Sequence, residues 1–276
     1  INYANWPSVL SCQAQAYFVA GILMDELKER DFDFEEAADL LNKTGFLLTN
    51  LDRYDEAVPL LQKALDIRRR KLGIDHPKVA ETLNYMADNY EDQGNHVKAQ
   101  ELYRQVLAIR EKKLGPRDEE VGQVHNNLGL SYFNDFKNDR AETHYQRAKE
   151  IWETVHNDSL VGAALFNLAM LYKRQNKKDT EKLFREALTK LGAGPEVMLA
   201  AVTYHLADFL SDRSRDEEAE PLFKQALLIR EKLFGKEHPQ LLPIILDYAP
   251  VLRRVGRIAE ADDLEARVER IRAMSR

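Results

Sequence analysis

The chain has 276 residues, a formal net charge of −6, 44% hydrophobic and 31% charged residues, and one cysteine. That composition reads as soluble and helical. It argues against a nucleic-acid module, which would show a basic face. A single cysteine, Cys12, excludes an internal disulfide and a cysteine-based metal site.

Residues 1–6 form a tail with Tyr3 and Trp6, and Pro7 suits a first helical position. A helix is expected from there to about Arg30, giving a capping helix within 1–32. The apolar stretch 8–24 holds seventeen residues and includes Gln13 and Gln15, so it reads as a buried helix rather than a membrane span. The chain starts at Ile1 without an initiator methionine, as an excerpt or a processed product would, and shows no secretory signal. A cytoplasmic location is expected.

From residue 33 onward a helix–turn–helix unit recurs. Its clearest copy is 83–115, where Leu83, Met86, Ala87 and Tyr90 make one helical stripe, Gly94 and Asn95 break it, and Ala99, Leu102, Tyr103, Val106, Leu107 and Ile109 make a second. Ala57, Ala99, Ala141, Thr180, Ala219 and Ala261 are equivalent, at spacings of 42, 42, 39, 39 and 42. Gly45, Ala87, Gly129, Ala169, Ala207 and Ala249 are their first-helix counterparts, twelve residues earlier, or eleven in the fourth copy. The missing residue there is assigned to the turn around Gln175, Asn176 and Lys177. Small residues at both positions let the two helix axes approach. Six such registers predict a stacked solenoid.

The repeats are expected at about 33–73, 75–115, 116–156, 157–192, 195–235 and 238–274. In the first, Pro59 is placed in the opening turn of its second helix. In the third, Gly122 and His125 stand where larger apolar residues are expected. The fourth ends in the glycine-rich 192–195, which reads as the clearest break in the array and a candidate hinge. In the sixth, Pro250 predicts a kink, and Glu265 takes an aromatic or leucine position, as a polar capping unit would. The C-terminal arginines are interleaved with Glu260, Asp262, Asp263, Glu265 and Glu269, which predicts an ion-paired face.

The small–aromatic–Ala grammar, with IREKKLG at 109–115, IREKLFG at 229–235, DHPKVAETLN at 75–84 and HNNLGLSY at 125–132, resembles the tetratricopeptide repeat in its 42-residue, kinesin light chain-like form. The resemblance covers about 34–276 and implies an all-α, right-handed solenoid whose first helices line a concave groove.

Advancing each residue by 100° puts Glu81, Asn84, Tyr85, Asp88, Glu91 and Asp92 on the groove face of the second repeat. The third repeat offers Gln123, Asn126, Asn127, Leu130, Phe133 and Asn134. The fourth offers Phe166, Asn167, Met170, Lys173 and Arg174, and the fifth Tyr204, His205 and Asp208. Asparagines can donate to and accept from a peptide backbone at once, and apolar anchors among them suit a binding site. The expected ligand contacts are Asn84, Asp88, Asn126, Asn127, Leu130, Phe133, Phe166, Asn167, Met170, Arg174 and His205. Two other readings stay open: Phe166 and Leu130 fill the seam between first helices, and the asparagines bond one another.

A carboxylate clamp needs lysines and an arginine where Asn42, Asn84 and Asn126 stand. The seven histidines show no metal spacing, with His76 and His238 beside prolines in loops. No phosphate loop, dinucleotide fingerprint or nucleophile elbow occurs. The sequence therefore predicts a non-enzymatic scaffold that needs no cofactor or metal, binds a protein or peptide segment, and neither binds nucleic acid nor inserts in a membrane. The alternatives are a regulatory or sensor region of a larger protein, with an intramolecular partner outside this chain, and a self-assembly module.

Overall fold

The computed structural model describes residues 34–192 and 194–274, and among them every regular element is helical. The expected helix within 1–32, with Cys12 and the stretch 8–24, lies outside the described residues. The helices are α1 (Glu35–Thr49), α2 (Tyr54–Leu72), α3 (Pro77–Asp92), α4 (His96–Leu114), α5 (Glu119–Asn134) and α6 (Asn138–Thr154). They continue as α7 (Asp158–Arg174), α8 (Thr180–Leu191), α9 (Glu196–Ser211), α10 (Asp216–Phe234), α11 (Leu242–Arg254) and α12 (Ile258–Met274). Odd and even neighbours pack as hairpins, one per expected repeat, and make an all-α solenoid. The chain falls into two compact units, 34–155 and 156–274 among the described residues.

The hairpins form because the register residues are small. Ala57, Ala99, Ala141, Thr180, Ala219 and Ala261 are all fully enclosed, as are Ala87, Ala169 and Ala207 opposite them. Where the first helix carries glycine, the second carries bulk. A Cβ on Gly129 would stand 2.5 Å from the Tyr145 ring, and one on Gly45 would stand 2.6 Å from Leu61. Gly122, the residue that looked too small for its place, admits the buried indole of Trp152, whose Nε1 donates to the Glu119 carbonyl at 3.2 Å. Gly162 admits Leu191 in the same way.

Each turn inside a hairpin needs one left-handed residue. Gly94 and Gly256 supply it at φ 76° and 83°, while Asp52, Phe136, Asn176 and Ser214 supply it at φ 52–59°. Between hairpins, Gly73, Gly115 and Gly235 close their helices at φ 87–92°. The segment that follows is then capped: His76 Nδ1 accepts from the Lys78 amide of α3, Asp118 from Glu120 of α5, and His238 from Gln240 in the 3-10 turn Pro239–Leu241 that leads into α11. The two loop histidines are thus N-caps, which is a structural role.

An arginine in the last turns of the second helix fastens successive hairpins. Arg68 donates to the Lys78 carbonyl at 2.7 Å, Arg110 to that of Glu120 at 3.2 Å and Arg230 to that of Gln240 at 3.1 Å. Arg68 is buried and also holds Asp39 of α1, with Glu81 and Thr82 of α3. It thereby ties three helices together. The equivalent residues of α6 and α8 are Trp152 and Leu191, which pack inside their own hairpins against the two glycines.

Several expectations are corrected. The residue missing from the fourth repeat does not shorten its turn. Five residues separate α7 from α8, and the helix starts at Thr180 itself, so the loss falls on the first turn of α8. Pro59 is the sixth residue of α2, past its opening turn, and Pro221 occupies the same place in α10. The division of the chain into compact units falls between 155 and 156. α11 spans Leu242–Arg254 with Pro250 inside it, and that proline is exposed, so the Leu246 carbonyl it leaves without its amide donor is open to water. Tyr90, expected in the buried stripe, is half-buried, and Asn89 beside it is enclosed and donates to Thr49 Oγ1 at 2.9 Å. The C-terminal arginines are ion-paired as expected, Arg253 with Asp262 and Glu265, Arg257 with Glu260, and the buried Arg267 with Glu231.

Two outcomes test this packing. Gly129→Ala should cost about 1–3 kcal/mol, because Tyr145 is enclosed and cannot retreat; the urea midpoint of the purified chain reads this directly. Ser214→Gly should add about 0.5–1 kcal/mol by removing a side chain from the left-handed turn, seen as a higher melting temperature. A lower one would show that Ser214 is not strained there.

Candidate functional site: the first-helix faces

In the unit spanning 34–155 the face is built by α1, α3 and α5. The residue after the small crossing residue is Phe46, Asp88 and Leu130 in these helices. Phe46 and Leu130 are each 42% exposed. Phe46 stacks on Tyr85 of α3 with ring centroids 4.6 Å apart, so α1 and α3 share an aromatic ledge. Asn126, Asn127 and Phe133 are half-buried beside Leu130 on α5. Asn42, the equivalent position on α1, is enclosed.

Asn84 donates to Asp88 at 2.9 Å, and Asn127 accepts from Gln123 at 2.9 Å, each along its own helix.

Asp88, expected on the open face, is instead half-buried between Asn84 and Tyr103. The Tyr103 hydroxyl donates to it at 2.6 Å. Burial pushes its carboxyl up to about 6, a rise that the tyrosine bond opposes and the charges of Asp92 and Glu91 reinforce. Asp92 is raised as well, by burial and by Glu91 and Asp52. Glu91 accepts from Asn134 at 2.8 Å and pairs with His96 at 2.9 Å.

α5 and α6 carry a second polar cluster in this unit. His125 and His144 face each other with Nδ1 atoms 2.9 Å apart, and Tyr132 stacks on His144. Burial holds His125 down to about 4, with His144 and Arg147 acting in the same direction. Two imidazoles at this distance share one proton, and the neighbouring Arg104, Arg140 and Arg147 disfavour a cation there. Among the described residues no group of three or more His, Cys, Asp or Glu side chains could hold a metal ion.

In the unit spanning 156–274 the face is built by α7, α9 and α11. Phe166 lies 5.4 Å from the His205 ring and 6.2 Å from Phe184, so it fills the seam between α7 and α9, one of the two readings open from sequence. Burial holds His205 down to about 4. Lys173 pairs with Asp208 and Asp212 and is thereby committed within the chain rather than offered to a ligand. Asn167, Met170 and Arg174 are half-buried on α7. A cleft of about 410 Å³ opens between α9 and α11, lined by Asp208, Asp212, Asp247, Leu246 and Arg254. Asp247 accepts from the Tyr204 hydroxyl of α9 at 2.5 Å.

Sequence reasoning did not weigh the Phe46–Tyr85 ledge as a site. The signal was present in the register: Phe46 follows Gly45 as Leu130 follows Gly129.

A family model described as Tetratricopeptide repeat matches residues 36–112, 120–190 and 199–273. No curated protein sequence matches the chain. Among solved structures, it is similar to BtubC (BKLC) from P. vanneervenii, with 20% identity over 80% of this chain and 90% of that one and a TM-score of 0.63. It is also similar to aspartyl phosphate phosphatase F from Bacillus subtilis, with 17% identity over 96% of this chain and 72% of that one and a TM-score of 0.64. A third similar structure is the apo form of the quorum sensor NprR from B. thuringiensis, with 14% identity over 97% of this chain and 74% of that one and a TM-score of 0.60. At these identities the likeness is one of fold. Among the described residues no helix is long and apolar enough to cross a membrane.

Asp88→Asn is expected to stabilise the chain by about 1–2 kcal/mol at pH 7.5. The folded carboxyl titrates near 6, above its ordinary value of 3.8, so the ionised form is disfavoured in the fold. Parent stability is therefore regained as pH falls from above 6 towards 4, and the gap between the two proteins should shrink over that window. Urea unfolding at pH 7.5 and 4.5 reads it; a gap that does not change with pH would refute the assignment.

Proposed function

This chain belongs to the tetratricopeptide repeat family, and on that premise we propose that it is a non-enzymatic binding module that holds a peptide or protein segment against its first-helix faces. The observation that carries the reading is the exposure of Phe46 and Leu130 on that face, at one register, with half-buried asparagines beside Leu130. Large apolar side chains at a fixed repeat spacing are suited to anchoring an extended segment, and side-chain amides beside them can bond its backbone. The helices are held rigid by the arginine fasteners and the enclosed crossings, so ordering costs fall mainly on the ligand.

A second reading is a regulatory or sensor region of a larger protein, in which the same face receives a segment from outside this chain. It is favoured by the fold shared with a protein described as a quorum sensor and with one described as an aspartyl phosphate phosphatase. Both readings use the first-helix face, and they differ in what is attached to it.

The test is a peptide-display screen on residues 1–276, run beside a variant carrying Asn127→Ala and Phe133→Ala. Enrichment of a motif by the parent that is lost in a folded variant is the expected result. Equal enrichment by both would move the site off α5, and no enrichment by either would overturn peptide recognition.

A further inference from the structure

The first-helix face of the unit spanning 34–155 pairs its aromatic ledge with carboxylates that the chain itself leaves without cations. Glu81, Tyr85, Asp88 and Asp92 fall at i, i+4, i+7 and i+11 on α3, a single stripe running to the helix C-terminus. Glu81 is neutralised by Arg68 at 3.0 Å. Asp88 has only hydrogen bonds from Asn84 and Tyr103, with Arg110 acting from a distance. The charges that act on Asp92 are Glu91 and Asp52, both negative. Glu91 is nine-tenths buried; its Oε1 pairs with His96 and accepts from Asn134, while its Oε2 is enclosed with no hydrogen-bond donor reaching it. No basic residue lies in the last turn of α3. The negative end of the helix dipole adds to the field there, where carboxylates are least welcome.

Asp88 and Asp92, one turn apart at the wrong end of a helix and partly out of water, cost stability. The exposed cation among the α1 face residues is Lys43, and it is not among the charges acting on Asp88 or Asp92. The apolar ledge of Phe46 and Tyr85 lies on the same face, with Tyr85 one turn from Asp88. A ledge of this kind takes an aliphatic or aromatic side chain, or the stem of an arginine or lysine.

We propose that this face docks a basic peptide segment, with an arginine or lysine directed at Asp88 and Asp92 and a neighbouring apolar residue or side-chain stem on the Phe46–Tyr85 ledge. The inference rests on the groove reading above and adds the chemistry of the occupant. Charge complementarity steers such a segment in, and its cation relieves the like-charge crowding at the end of α3.

The probe is a displayed random nonapeptide library sorted on residues 1–276, followed by titration of the enriched peptides against three variants. Tyr85→Ala removes half the ledge, Asp92→Asn removes an exposed carboxylate, and Glu101→Gln removes an exposed carboxylate on α4 as a control for net charge. Enriched peptides should be net basic. Their affinity should fall about tenfold with Tyr85→Ala and about fivefold with Asp92→Asn, and stay unchanged with Glu101→Gln. It should also weaken several-fold between 50 and 300 mM salt. Helical circular dichroism equal to the parent's keeps loss of fold from imitating loss of the site. Acidic or neutral peptides that bind and are lost with Tyr85→Ala or the α5 variant would overturn the charge inference and leave the groove reading standing. Basic peptides insensitive to Asp92→Asn, or equally sensitive to Glu101→Gln, would overturn the docking geometry. No enrichment at all would overturn both proposals.

Discussion

The closeness with which two helices of a hairpin can approach is the constraint from which the rest of this chain follows. At each crossing a glycine or alanine of the first helix meets an alanine or threonine of the second, and these residues are enclosed. A larger side chain at either place would part the axes and leave a void that nothing nearby could fill. With the crossing fixed, the next first-helix position is turned outward in the first and third copies, at Phe46 and Leu130. The exposure of Phe46 and Leu130 is thus a consequence of the enclosure of Gly45 and Gly129 immediately before them.

Stacking of one hairpin on the next has a different origin, and it is polar. Arg68 and Arg110 each bond a backbone carbonyl at the start of the following first helix, and Arg230 bonds one in the 3-10 turn that leads into α11, where the chain has left its glycine turn. A buried guanidinium is expensive to desolvate and is kept only where its donors are used, and Arg68 binds four groups on two helices. Losing Arg68 would leave both a cavity and unpaired acceptors. Trp152 and Leu191 show the other solution. The two hairpins that give up the arginine fill the same volume with apolar bulk and shrink the facing residue to glycine.

Most of the hairpin geometry was legible in the sequence, because small-residue spacing and turn residues are local signals that survive without any knowledge of packing. The arginine fastener was also written there, as the Ile-Arg pair shared by 67–68, 109–110 and 229–230. It was not read because its partner is a carbonyl, which leaves no mark in the residue pattern. The start of α8 at Thr180 was misplaced for a related reason: a deletion can be absorbed by the helix or by the turn, and spacing cannot say which. On the candidate site, angular placement around an ideal helix located Leu130 and Tyr85 on the open face. It could not show that Asp88 is drawn inward by a tyrosine fifteen residues on, or that Phe166 is occupied by His205. Those outcomes depend on which side chain of a neighbouring helix arrives at the same point.

The distribution of uncompensated charge then separates maintenance of the fold from use of its surface. Several other charges on the first-helix faces are paired, Lys173 with Asp208 and Asp212 and Arg254 with Asp216. Such pairs on a partly exposed surface contribute little, and removing both members would cost little. The carboxylates at the end of α3 are different in sign as well as size. Burial raises Asp88 and Asp92, so each makes the fold less stable at neutral pH than an amide in its place would. A residue that weakens its own fold and closes no ion pair within the chain is better explained by what it meets outside the chain, since strain of this kind is tolerated where a surface is used. The aromatic pair next to it gives the same answer from the apolar side. A stacked Phe46 and Tyr85 would gain from being covered, and their exposure leaves that gain for an occupant.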